Sequence, residues 1–215
     1  MTETKNTSSL NTIDFTLLRE VLKSPECANI VIKTIMNRKD LKIIENHTPY
    51  EEIIKKNSPI LLKVYATDSY DCVYNIHLIM GDEEGNPLYA RYYSSMAEAE
   101  VDYTENYFPE IDQTYTIFIN DKDTLGGGEP IYHIESAIEQ TGTIIDDGSH
   151  IIYVNSQVKN SETNICRLMS DLSCTNPDEI FNKVLADRVR SLKCEMWIKN
   201  FTNKIQTQER KISYA

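Results

Sequence analysis

Two runs, ILLKVYAT at 60–67 and CVYNIHLIM at 72–80, constrain the fold of this chain more than any other feature. Both are rich in β-branched and aromatic residues, and the four residues between them, Asp68-Ser69-Tyr70-Asp71, favour a turn, so the pattern predicts an antiparallel β-hairpin. Side chains on a strand alternate between faces, which places Val73, Asn75, His77 and Ile79 together on one face of the second strand. Lys63 and His77 are expected to be neighbours across the hairpin.

Around this hairpin the periodicity switches repeatedly between helix and strand. FTLLREVLK has apolar residues at helical spacing, and Ser24-Pro25 reads as a cap with proline at the first helical position, opening ECANIVIKTIM. LKIIE is read as a short strand and YEEIIKKN as a turn of helix before Pro59. After the polar stretch GDEEGNP come a helix over LYARYYSSMAEAEVD, a strand over TYTIFIN, a loop carrying Gly126-Gly127-Gly128, strands over IYHIES and HIIYVNS, and a helix over ETNICRLMSDL. Asn176 and Pro177 are expected to open one or two long charged helices reaching Tyr214. The organisation expected is a loose tail at 1–12, an α/β domain at 13–175 and a helical extension at 176–215 packed on or beside it.

The net charge of -11, from 22 basic and 33 acidic residues, disfavours a polyanionic ligand, because nucleic-acid affinity comes largely from phosphate neutralisation. A basic or neutral protein surface suits this charge better. The five cysteines, Cys27, Cys72, Cys166, Cys174 and Cys194, are scattered without a CxxC pair, which argues against a disulfide framework or a zinc site and fits a reducing cytoplasm. No apolar run is long enough to span a bilayer, and the first residues lack the layout of a signal peptide.

LLKVYATD, YNIHLI, YARYYSSM, TYTIFI, KDTLGGG, IYHIE and IIYVNSQ, followed later by CEMW, occur in the order of the motifs of the PD-(D/E)XK family of transposases and recombination-promoting nucleases of bacteria and their mobile elements, which the chain resembles over most of its length. The resemblance implies a restriction-endonuclease-like central mixed sheet flanked by helices, here with a helical C-terminal extension. It also implies a catalytic set in which the first hairpin strand supplies an Asp, and the second a Glu followed two residues later by Gln or Lys, together holding a divalent cation and positioning the attacking water.

At those positions this chain carries Lys63, His77 and Ile79. An ammonium repels Mg²⁺, an imidazole is a poor ligand for a hard cation, and isoleucine neither coordinates nor transfers a proton. The basic residues that precede the family's RYYQS segment are reduced to Tyr89-Ala90 before Arg91, and the lysine of its glycine loop is Gly127 here, which weakens phosphate binding. The expectation is a catalytically inactive nuclease-fold protein without cofactor. It would act by binding a protein partner, as a regulator or inhibitor in phage–host conflict, with weak nucleic-acid contact at most, no membrane association, and room for a homo-oligomer.

The alternative is a divergent nuclease of a mobile element, dependent on Mg²⁺, whose acids have relocated. Asp68, Asp71 and Asp82 are the candidate ligands, with Glu83 and Glu84 nearby, although turn acids of this kind are commonly solvated. His77 is expected to be a histidine satisfied inside a former pocket rather than an acid–base catalyst, and His47, His133 and His150 show no ligand spacing with it. The glycine triplet lacks the Lys-Ser/Thr of a P-loop and is read as a flexible turn. Tyr89, Tyr92 and Tyr93 are expected to pack a core, and Arg91 to pair with an acid. Arg91, Tyr92, Tyr93, Trp197 and Phe201 are the binding candidates, the last two on an amphipathic C-terminal helix.

Overall fold

The computed structural model describes residues 13–47, 60–81, 86–99, 112–159 and 162–197. In chain order it contains α1 (Phe15–Leu22), α2 (Pro25–Ile35), β1 (Lys42–His47), β2 (Ile60–Thr67), β3 (Val73–Met80), α3 (Pro87–Ala99), β4 (Gln113–Asn120), β5 (Ile131–Ile134), β6 (Ser149–Asn155) and α4 (Asn164–Ser173). A last helix, α5, covers 183–197. The helix turn expected over YEEIIKKN lies outside the described residues.

Six strands form one mixed sheet in the order β1-β2-β3-β4-β6-β5. β1, β2 and β3 are an antiparallel meander, β4 and β6 run parallel to β3, and β5 closes the far edge antiparallel to β6. The parallel step from β3 to β4 has α3 between the strands in sequence, since parallel neighbours need a crossover. At the β2–β3 hairpin, the Asp68 N–H donates to the Cys72 carbonyl and Asp71 takes the left-handed conformation at φ 62°, the arrangement of a type I turn closed by one αL residue.

The two faces of the sheet differ. On one, Leu62, Val64, Ile76, Leu78, Ile117 and Val154 join the main core with apolar residues of α1, α2, α4 and α5. α2 starts as the sequence predicts, with the Ser24 hydroxyl accepting from the Cys27 N–H and Pro25 in the first turn. α5 contributes Leu185, Ala186, Val189 and Leu192, so the C-terminal helix shares the core of the sheet. On the other face, among the described residues, α3 packs over β3, β4 and β6.

The C-terminal helix begins later than expected. Asn176 instead closes a turn, its carbonyl accepting from the Glu179 N–H and its side chain from the Asp178 N–H. The buried Asp171 carboxylate then takes the N–H groups of Phe181 and Asn182 at 2.8 and 2.9 Å. Asn182 is the actual cap, accepting from Val184 and Leu185. Asn-Pro-Asp suits a turn as well as a helix start, and Asp171, in the last turns of α4, decides between them.

Candidate functional site

The α3 face of the sheet holds the positions at which the resemblance places catalysis. Strand register sets them in rows. Lys63, His77, Thr116 and Ile151 lie side by side across β2, β3, β4 and β6. One row on are Tyr65, Asn75, Thr114 and Ser149, and in the other direction Ile79, Phe118 and Tyr153. Lys63 and His77 are therefore neighbours across the hairpin, as the alternation predicts.

This face is polar along much of its length but closed. Asn75, His77 and Thr116 are at most 1% exposed. The Asn75 amide donates to the Ala97 carbonyl of α3 at 2.9 Å, tying the helix to the strand below. Asn75 Oδ1 and Thr116 Oγ1 are buried with no hydrogen-bond partner among the described residues. Each such group costs about 1–3 kcal/mol, so the polarity of this wall works against stability. Ile79 sits in a second apolar cluster with Ala90, Phe118 and Tyr153, in which the Phe118 and Tyr153 rings stack at 5.2 Å and Tyr93 meets Phe118 edge-on at 6.2 Å. Where the resemblance calls for a polar catalytic side chain, the wall is hydrocarbon.

Only part of the tyrosine-rich helix packs as expected. Tyr93 is half-buried, while Tyr89 and Tyr92 are 55% and 62% exposed. The inward stripe of α3 is Ala90, Ser94 and Ala97, whose small side chains let the helix lie close to the sheet and turn Tyr89 and Tyr92 outward. Arg91 is exposed, and no carboxylate pairs with it among the described residues. On α5, Trp197 is 67% exposed beside Met196 at 60%, beyond the point where Leu192 enters the core. Phe201 lies outside the described residues.

Of the acids named as relocated ligands, Asp68 and Asp71 lie in the β2–β3 turn. Asp68 is 7% exposed, and its carboxylate is engaged on both oxygens. Oδ1 accepts from the Tyr70 and Cys72 N–H groups at 2.9 and 3.1 Å. Oδ2 accepts from Arg38 Nη2 and the Tyr74 hydroxyl, both at 2.8 Å. Desolvation pushes its pKa up, but the bonds from Tyr74, the Tyr70 N–H, Arg38 and the Cys72 N–H together outweigh that and hold it at about 2. Arg38 also binds Asp40 through two nitrogens and donates to the Tyr74 hydroxyl. Asp71 is exposed in the same turn. Asp82 lies outside the described residues. Among the described residues no group of three His, Cys, Asp or Glu side chains could hold a metal ion.

The glycine loop is more ordered than a flexible turn. Asp123 accepts from the Gly126 and Gly128 N–H groups at 2.9 and 2.6 Å and from the Tyr132 hydroxyl. The Gly128 N–H contributes most to holding the Asp123 carboxyl below its ordinary pKa, against desolvation and with help from Tyr132 and Gly126. Gly126 and Gly128 have φ of 73° and 75°, where an L side chain is strained. The loop resembles an anion-binding nest already filled by its own carboxylate.

Sequence reasoning did not find the Arg38–Asp68–Tyr74 cluster or the Asp123 loop, and the latter carried a local signal in an acid preceding glycines. His150, set aside for lack of ligand spacing, bridges Glu135 and Gln113 and stacks on Tyr115 at 4.4 Å. No protein-family model matches the chain, and no curated protein or solved structure is significantly similar to it.

Proposed function

We propose that this is a catalytically inactive protein of PD-(D/E)XK nuclease type that acts in the cytoplasm by binding a protein partner. The observation that carries this reading is the fully buried Ile79, packed against Ala90, Phe118 and Tyr153, beside a row in which Lys63 and His77 stand where an active enzyme needs acids. Lys63 and His77 offer a hard cation no carboxylate, and the Ile79 side chain offers neither a ligand nor a base for water. The order of elements supports the family assignment: hairpin, helix, parallel strand, glycine loop and two further strands follow as in the resemblance. The net charge of -11 favours a basic protein surface over a phosphate backbone as the partner.

A cation site coupled to the fold raises thermal stability when filled, because a ligand that binds only the native state stabilises it. Differential scanning calorimetry with Mg²⁺ or Mn²⁺ against Ca²⁺ and NaCl at matched ionic strength is expected to give one common Tm. A rise specific to Mg²⁺ or Mn²⁺, and reversed by chelator, would favour the relocated-acid nuclease instead.

A further inference from the structure

β5 is a terminal strand of the sheet. In an antiparallel ladder, hydrogen-bonded and non-hydrogen-bonded residue pairs alternate. The Asn155 N–H donates to the Pro130 carbonyl at 3.0 Å, so the bonded pairs further along are Tyr132 with Tyr153 and Ile134 with Ile151. The N–H and C=O groups of Ile131 and His133 then point away from β6, and no strand among the described residues pairs with that side. Such an edge is a template for another strand unless it is blunted by charge, proline or cover.

Beyond β5 the chain doubles back in a short arm, held by the Ala137–Ile144 bridge and by bonds from Ile138 N–H to the Thr143 carbonyl and Ile145 N–H to the Ser136 carbonyl. Isoleucines face solvent here: Ile134 at the end of β5 is 41% exposed, and Ile138, Ile144 and Ile145 on the arm are 41%, 65% and 43% exposed. Clustered exposed aliphatics of this kind mark interaction surfaces. Charge narrows the choice of occupant. From Asp123 to Val158 the chain has the carboxylates of Asp123, Glu129, Glu135, Glu139, Asp146 and Asp147 and no lysine or arginine. Glu129, Glu139, Asp146 and Asp147 are exposed.

We propose that the open edge of β5 and the isoleucine arm beside it form the docking site for an extended, lysine- or arginine-bearing segment of a protein partner, which adds to the sheet as a further strand. Main-chain bonds to Ile131 and His133 would supply affinity, the isoleucines would take alternate apolar side chains, and the acidic rim would select basic ones. A second copy of this chain fits less well, because pairing β5 with β5 sets two acidic rims side by side. The assignment rests on the partner-binding reading above and locates the surface that reading requires.

The test uses fluorescence anisotropy with two short labelled peptides, one alternating valine with lysine and one alternating valine with glutamate. The full chain is compared at pH 8 with two variants that leave every carboxylate, lysine and arginine in place. His133→Pro removes an outward N–H and no ladder bond, a substitution edge strands accept. Ile138→Ser/Ile144→Ser strips the arm and leaves the core untouched. The lysine peptide is expected to bind about tenfold or more tightly than the glutamate peptide, and each variant to lose about tenfold in affinity while keeping the native circular dichroism spectrum.

Should His133→Pro fail to fold, the serine pair decides. Equal affinity across native chain and folded variants means diffuse charge attraction and overturns the proposal, as does no binding at all. Self-association abolished by His133→Pro in sedimentation assigns the edge to a second copy and also overturns it. Neither peptide nor variant involves cleavage, so nuclease activity in the native chain would refute the pseudo-nuclease reading and leave this result standing.

Discussion

Ile79→Gln is expected to cost about 3–5 kcal/mol in urea unfolding, whereas Ile79→Val costs about 1 kcal/mol. Ile79 is fully buried among Ala90, Phe118 and Tyr153. Glutamine there forfeits the apolar burial and brings in an amide with no polar partner in the cluster. In an enzyme that uses this position for catalysis, the side chain must reach water and cation, and glutamine is then the comfortable residue. The comparison therefore reads the character of the pocket directly. A glutamine variant as stable as the native chain would mean that the wall admits water, and the closed-site account would fail.

Asp68→Ala is expected to lower the Tm by about 5–10 °C, because it strips an acceptor from the buried Tyr74 hydroxyl, the Arg38 guanidinium and two turn N–H groups at once. The loss has a pH signature. The pKa of Asp68 in the folded chain is about 2, below its ordinary 3.8, so the charged carboxylate stabilises the fold above pH 3.8. That contribution falls away as the pH drops from 3.8 through about 2. The stability difference between the native chain and Asp68→Asn is expected to be constant near neutrality and to shrink across that acid window. A difference indifferent to pH would mean that the carboxylate is not held in its charged form by these bonds, and a metal-ligand role for Asp68 would reopen.

The sequence was most informative where periodicity is local. Alternation along 72–80 and four turn residues were enough to predict the hairpin, and with it the pairing of Lys63 with His77. Ser24-Pro25 opened a helix as read. What stayed hidden depends on residues far apart in the chain. Asp68 looked like a solvated turn acid until Arg38, thirty residues earlier, was placed beside it. Asp171, not the local Asn-Pro-Asp pattern, decides where α5 begins. Tyr89 and Tyr92 were misplaced because aromatic spacing alone does not say which stripe of a helix is inward. In α3 the small residues Ala90, Ser94 and Ala97 set that stripe. The buried polar residues Asn75, His77 and Thr116 share the face that alternation along β3 and β4 offers to solvent, and among the described residues α3 is the element that packs over it.

The proposed lack of nuclease activity is tested most directly by cleavage of labelled single- and double-stranded DNA and RNA with Mg²⁺ or Mn²⁺. No product above a protein-free control is expected with either cation. Cleavage that tracks the protein through purification, is abolished by chelator and is lost on changing Asp68, Asp71 or Asp82 to alanine would contradict it.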